Sequence, residues 1–99
     1  MTMINVQVRD ENGTIEVHSR HAVVWSGELA GLDQSAFPMF GHLLPYADTM
    51  FNHRQVVTLL DELPRLPSGV VTDEFARELA ELGQVVLNGQ ALYLWFLGD

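Results

Sequence analysis

Ninety-nine residues suffice for one domain with one core, and with 47% of them apolar that core needs neither metal nor disulfide. Thirteen Asp and Glu against five Lys and Arg leave a net charge of −8, which repels phosphate backbones and anionic lipid. Nucleic acid and membrane surfaces are therefore not expected as partners, whereas a basic protein is. No cysteine is present, so disulfides, thiolate nucleophiles and cysteine-ligated zinc are excluded, and a reducing, cytoplasmic setting is expected.

Residues 1–10 alternate polar and apolar side chains instead of presenting a basic stretch before an apolar one, so they read as a strand and not as a signal peptide. Ile4, Val6 and Val8 fall on one side and Asn5, Gln7 and Arg9 on the other. The alternation resumes after Asn12-Gly13, with Ile15 and Val17 against Glu16 and His18. Asn-Gly tolerates positive φ and predicts a two-residue primed turn, hence an antiparallel hairpin with one buried face. The stretch 21–32 holds Ala22-Val23-Val24-Trp25, then Gly27 and Gly31 as turn residues. It reads either as the second strand continued past a bulge or as a separate short strand.

Residues 33–52 hold two prolines, a glycine, Phe37, Phe40, His42, Tyr46 and Phe51. That stretch is too apolar for a free linker and too interrupted for one long helix, so a packed loop with short helical turns is expected. Asn52 has the chemistry of a helix N-cap, with Gln55 placed to close a capping box and Phe51 and Val56 at the staple positions. Val56, Leu59, Leu60 and Leu63 follow at helical spacing until Pro64 stops the helix. Thr72 caps a second helix, with Asp73 and Glu74 in its first turn and Asn88-Gly89 at its end. On this helix Phe75, Leu79, Leu82 and Val86 form an apolar arc that must face the sheet, flanked by an acidic stripe of Glu74, Glu78 and Glu81.

The run 91–97 is apolar on both alternating faces, as in a strand that is central or covered on both sides, and Trp95 is expected inside. It spans seven residues, against the roughly 20 that a membrane-spanning helix requires. The expected fold is one α+β domain over residues 1–99. Its sheet is mostly antiparallel with three or four strands, the N-terminal hairpin plus the C-terminal strand, and two helices pack on one face.

Two groups of residues are candidates for function. Tyr46, Asp48, Thr49, His53 and Arg54 crowd a loop-to-helix junction, where Arg54 and free amides suit an anionic group or Asp48 and His53 an acid/base pair. The same residue types are ordinary turn and cap formers, with Tyr46 at the core edge. Glu74, Glu78 and Glu81 offer a surface complementary to a basic protein, although such a stripe is most often a solvated helix face. Asp10, Glu11, Glu16, Glu28, Asp33, Asp61 and Glu62 extend the acidic excess. The histidines His18, His21, His42 and His53 match no metal-ligand spacing, and no serine sits in a nucleophile elbow, so neither metal, cofactor nor catalytic residue is assigned.

The segments Pro45-Tyr46-Ala47-Asp48-Thr49-Met50-Phe51-Asn52 and Leu92-Tyr93-Leu94-Trp95-Phe96-Leu97-Gly98-Asp99 resemble those of a group of small bacterial proteins of about this length. The resemblance implies a stand-alone bacterial domain and brings no activity, cofactor or catalytic residue with it. Size, acidity and the lack of a chemical motif together point to a non-enzymatic protein-binding domain, in its concrete form an immunity or inhibitor protein directed at a basic toxin. The alternatives are a small-molecule-binding or enzymatic domain using the polar cluster 46–54, and a homodimer. The homodimer would form through a strand edge or the apolar loop of Phe37, Phe40 and Phe51.

Overall fold

The computed structural model describes residues 2–98. Strand β1 (Met3–Asp10) buries Ile4, Val6 and Val8, as a period of two demands of a strand with one face in the core. β2 (Ile15–His18) runs back antiparallel to it, pairing His18 with Gln7 and Val17 with Val8. The connection is a three-residue loop, not the two-residue primed turn that Asn-Gly predicts. Gly13 alone takes positive φ (82°), and Asp10 and Thr14 close the loop, Asp10 N–H donating to the Thr14 carbonyl at 3.0 Å. The Asp10 carboxylate decides this, since its Oδ1 accepts from the amides of both Asn12 and Thr14 at 2.9 Å. A register shift follows between Val8 and Arg9, so that Ile15 pairs with Arg9 and leaves the core face. Ile15 is 42% exposed for that reason.

Past His18 the returning strand is interrupted and then resumes. Ser19 N–H still donates to the Val6 carbonyl at 2.8 Å, and β3 (Val23–Val24) pairs with Met3 and Ile4. Five steps on the returning side span three on β1, so residues 20–22 leave the ladder. Both sequence readings of 21–32 thus hold in part: β3 is a separate short strand and also the continuation of β2. A short helix α1 (Gly27–Ala30), capped by Ser26 whose Oγ accepts from Leu29 N–H, follows and buries Leu29.

Residues 33–52 are the packed loop expected, with a 3-10 turn at Phe40–His42, but they end in a strand that the alternation did not reveal. Strand β4 (Thr49–Phe51) pairs with β5 (Leu92–Leu97), and β5 pairs with β1, so the sheet has five strands in the order β2, β1, β5, β4, with β3 also on β1. Every pairing is antiparallel.

α2 (His53–Glu62) starts at Asn52 with the complete capping box. Asn52 Oδ1 accepts from Gln55 N–H and Gln55 Oε1 accepts from Asn52 N–H, both at 2.9 Å. The chain then tightens into a 3-10 turn, Leu63–Arg65, carrying Pro64. α3 (Asp73–Asn88) starts at Thr72, whose Oγ1 accepts from Phe75 N–H, and ends at Gly89. Both helices lay their apolar arcs on one face of the sheet. Val56 and Leu59 from α2, and Phe75, Leu79, Leu82 and Val86 from α3, join Val6, Val8, Leu94 and Phe96 in one core. The helices approach closely where α3 carries Gly83, whose missing side chain makes room for Leu60.

Phe40 and Phe51 also lie in this core, 1% and 2% exposed, with Phe51 edge-on to Phe96 at 5.6 Å between ring centroids. They are therefore absent from the surface that the sequence offered for a homodimer. Among the described residues no helix packs on the opposite face of the sheet. Central β5 is thus covered on one side only, and Trp95, expected inside, is half-buried on the open side.

Candidate functional site

The most deeply engaged candidate is Glu78. Its position in α3 borders the apolar arc, and the side chain turns toward the break between β2 and β3 instead of toward water. Oε2 accepts from the Arg20 backbone N–H and Oε1 from the His21 backbone N–H, each at 2.8 Å. Arg20 Nε at 3.3 Å and His21 Nδ1 at 3.1 Å complete the ring of donors. Those two amides would pair across an unbroken ladder, and the carboxylate replaces the missing strand partners. Burial pushes the Glu78 pKa up, but hydrogen bonds from the two amides and from the Arg20 and His21 side chains outweigh it and hold the carboxyl down at about 2.

Glu62, at the end of α2, does the same at a second break. It is fully buried, with Oε2 accepting from Met39 N–H at 3.0 Å and Oε1 from Phe40 N–H at 3.1 Å, at the entry of the 3-10 turn. Two carboxylates read from the sequence as surface charge are thus internal acceptors for backbone that has left regular structure.

The acidic stripe changes accordingly. Glu74 and Glu81 are exposed and Glu78 is 6% exposed. With Arg20, His21 and Arg77 the three glutamates line a depression of about 80 Å³. Arg20 and Arg77 offset much of the local negative charge, so the acidity of this protein is spread over its surface and is not concentrated on α3. Glu11, Glu16, Glu28, Asp33, Asp48, Asp61, Asp73, Glu74 and Glu81 are all exposed. Among the described residues only Asp61 of these has a cationic partner, Arg65 at 3.5 Å.

The polar cluster 46–54 is not gathered into one cavity. Tyr46 is 75% exposed, Asp48 is exposed beside it, and Thr49 opens β4 on the edge of the sheet. His53 and Arg54 lie in the first turn of α2, where with Asn52, Ala91, Leu92 and Tyr93 they line a depression of about 250 Å³ that Tyr46, Asp48 and Thr49 do not reach. Asp48 has no hydrogen bond to His53 or Arg54, so the acid/base pairing suggested by their nearness in sequence is not formed.

The open face of the sheet carries the feature that sequence reading missed. Register aligns His18, Gln7, Trp95 and Met50 in one row across the four strands of the sheet's main path. Gln7 Nε2 donates to His18 Nδ1 at 3.0 Å, and Gln7 Oε1 accepts from Arg9 Nε at 2.8 Å. The Arg9 guanidinium then stacks over the Trp95 ring at 4.5 Å. Around this chain lie Met3, Ile15, Val24 and Met50, each between 37% and 48% exposed, with Tyr93 and Leu97 half-buried. Alternation along β1 hinted at Asn5, Gln7 and Arg9 sharing a face. The row itself depends on inter-strand register, which no local pattern encodes.

The other histidines are distributed singly: His21 on Glu78, His42 with Nδ1 3.1 Å from the Pro38 carbonyl oxygen, and His53 exposed at the start of α2. Among the described residues no group of three His, Asp or Glu side chains is placed to hold a metal ion, and no helix is long and apolar enough to cross a membrane. No family model, curated protein or solved structure matches the chain.

Proposed function

We propose that this protein is a non-enzymatic protein-binding domain that recognises a basic protein through its acidic surface, in the manner of an immunity or inhibitor protein. The observation that carries the reading is the uncompensated charge. Eight of the nine exposed carboxylates lack a cationic partner among the described residues, so their field extends into solvent. Such a field accelerates capture of a positively charged partner and weakens steeply as salt screens it. Because the charge is dispersed, it governs encounter, and the contact that holds the complex must come from shape and apolar surface as well.

Affinity capture from native lysate at low salt, followed by a salt gradient, tests this. A basic protein released sharply by salt, and captured less by a Glu74→Gln/Glu81→Gln variant, is the expected result. A partner retained equally at high salt, or capture indifferent to the total charge of the bait, would overturn it.

A further inference from the structure

We propose that His18 is a proton-sensitive latch on the end of β2: the neutral ring is held by the buried Gln7 amide, and protonation releases it. The inference is independent of the basic partner, because it rests on hydrogen-bond directions within the sheet.

Arg9 sets those directions. A guanidinium only donates and does not give up its protons in a protein, so the Gln7 atom 2.8 Å from Arg9 Nε is the amide oxygen. The amide nitrogen is left to face His18 Nδ1 at 3.0 Å. Nδ1 must therefore accept, which places the proton of the neutral ring on Nε2. An imidazolium carries N–H on both nitrogens and sets donor against donor across that contact. Turning the Gln7 amide over gives no relief, because its nitrogen then meets the Arg9 Nε–H. Turning the imidazole over brings a C–H to Gln7 in place of Nδ1. The protonated ring must swing away. His18 is exposed and finds water, whereas Gln7, 7% exposed, is left short of an acceptor.

His21 has the opposite preference. Its Nδ1 stands 3.1 Å from Glu78 Oε1, and the Glu78 carboxyl, held down at about 2, is ionised and only accepts. His21 thus donates from Nδ1, and protonation keeps that bond. Between the two histidines the chain leaves the ladder, which pairs His18 with Gln7 and resumes at Val23 on Ile4. Acid should therefore loosen the end of β2 while the Glu78 clamp holds.

The surrounding charges agree with this. Next to His18, β1 carries Arg9, which offers an imidazolium no counter-charge, and β5 carries Tyr93, in register with Arg9. β2 itself carries exposed Glu16, which has no ion pair among the described residues, and β3 and β4 hold no titratable side chain. His21 instead shares its depression with Glu74, Glu78 and Glu81 of α3, alongside Arg77 and Arg20, so a charged ring there has carboxylates at hand.

Imidazole 15N NMR at pH 8 reads the two tautomers, and amide hydrogen exchange at pH 8 and pH 5 reads the latch. His18 should carry its proton on Nε2 and His21 on Nδ1. On acidification the protection factor of the Ser19 amide, which donates to the Val6 carbonyl, should fall roughly fivefold. The His21 amide on Glu78 and the Trp25 amide on the Thr2 carbonyl should not change. His18→Asn supplies an acceptor oxygen with no proton to gain and should abolish the fall. Gln7→Glu, whose carboxylate accepts from both Arg9 and an imidazolium, should reverse its sign; if that variant does not fold, His18→Asn, at an exposed position, decides alone. A His18 proton on Nδ1 would overturn the proposal. So would a Ser19 protection factor that does not fall in wild type, one that falls equally in His18→Asn, or a folded Gln7→Glu protein without the reversal.

Discussion

The Glu78 carboxylate and the His21 backbone amide, 57 residues apart in sequence, are joined by a 2.8 Å hydrogen bond. The same carboxylate takes the Arg20 amide, so one side chain on α3 closes the gap between β2 and β3. That gap exists because the returning strand carries two more residues than its ladder can pair, and the excess backbone must find an acceptor elsewhere.

Stability should respond to acid through this carboxyl. Its pKa in the folded protein, about 2, lies below the ordinary value of 4.5, so the contribution is complete above pH 4.5 and fades as pH falls from there toward 2. Urea midpoints at pH 6 and pH 3 should differ less for Glu78→Gln than for wild type. Equal pH dependence in the two proteins would show that the clamp is not what titrates.

Removing the acceptor altogether is more severe. Glu78→Ala leaves the Arg20 and His21 amides without their partner and should destabilise by roughly 2–4 kcal/mol. Because the break adjoins β3, hydrogen exchange at residues 20–24 should rise more than exchange in α2.

Glu62→Ala should carry a comparable loss, roughly 2–4 kcal/mol, by orphaning the Met39 and Phe40 amides in a fully buried place. Glu62→Gln keeps an acceptor oxygen for one amide and should lose less. Denaturant unfolding of both variants checks the order, and a Gln variant as unstable as Ala would contradict the two-amide account.

At the helix crossing, a Cβ on Gly83 would stand 2.7 Å from Leu60 Cδ2. Gly83→Ala gains up to about 1 kcal/mol of helix propensity but overpacks a tight contact, a penalty of typically 1–3 kcal/mol. The net sign should be destabilising. In a Leu60→Ala background the contact is gone, and the same change should become stabilising, a reversal that a double-mutant cycle on melting temperature reads directly.

Gly98 meets backbone. A Cβ there would come within 2.7–2.8 Å of the Ala47 nitrogen and oxygen and the Pro45 oxygen, none of which can rotate away. Gly98→Ala should therefore part residues 45–47 from the end of β5 and lower stability by more than Gly83→Ala does, as thermal unfolding would show.

That contact ties residues 45–52 to residues 92–98. They lie side by side, joined by the β4–β5 ladder and by Gly98 against Ala47. The sequence presents them as separate runs, and only pairing unites them.

Residues whose roles are set by near neighbours were legible one segment at a time. Alternation located β1, the capping chemistry of Asn52 and Thr72 started both long helices, and the 3.6-residue period picked out Phe75, Leu79, Leu82 and Val86 for the core. Each of these follows from interactions within about four residues. Tertiary structure alone decided the rest. It turned Glu62 and Glu78 from surface charges into internal acceptors, dispersed Tyr46, Asp48, Thr49, His53 and Arg54, and aligned His18, Gln7, Trp95 and Met50 across four strands. The reason is reach: a carboxylate's partner or a strand's register is chosen by chain that lies tens of residues away, and no local periodicity carries that choice.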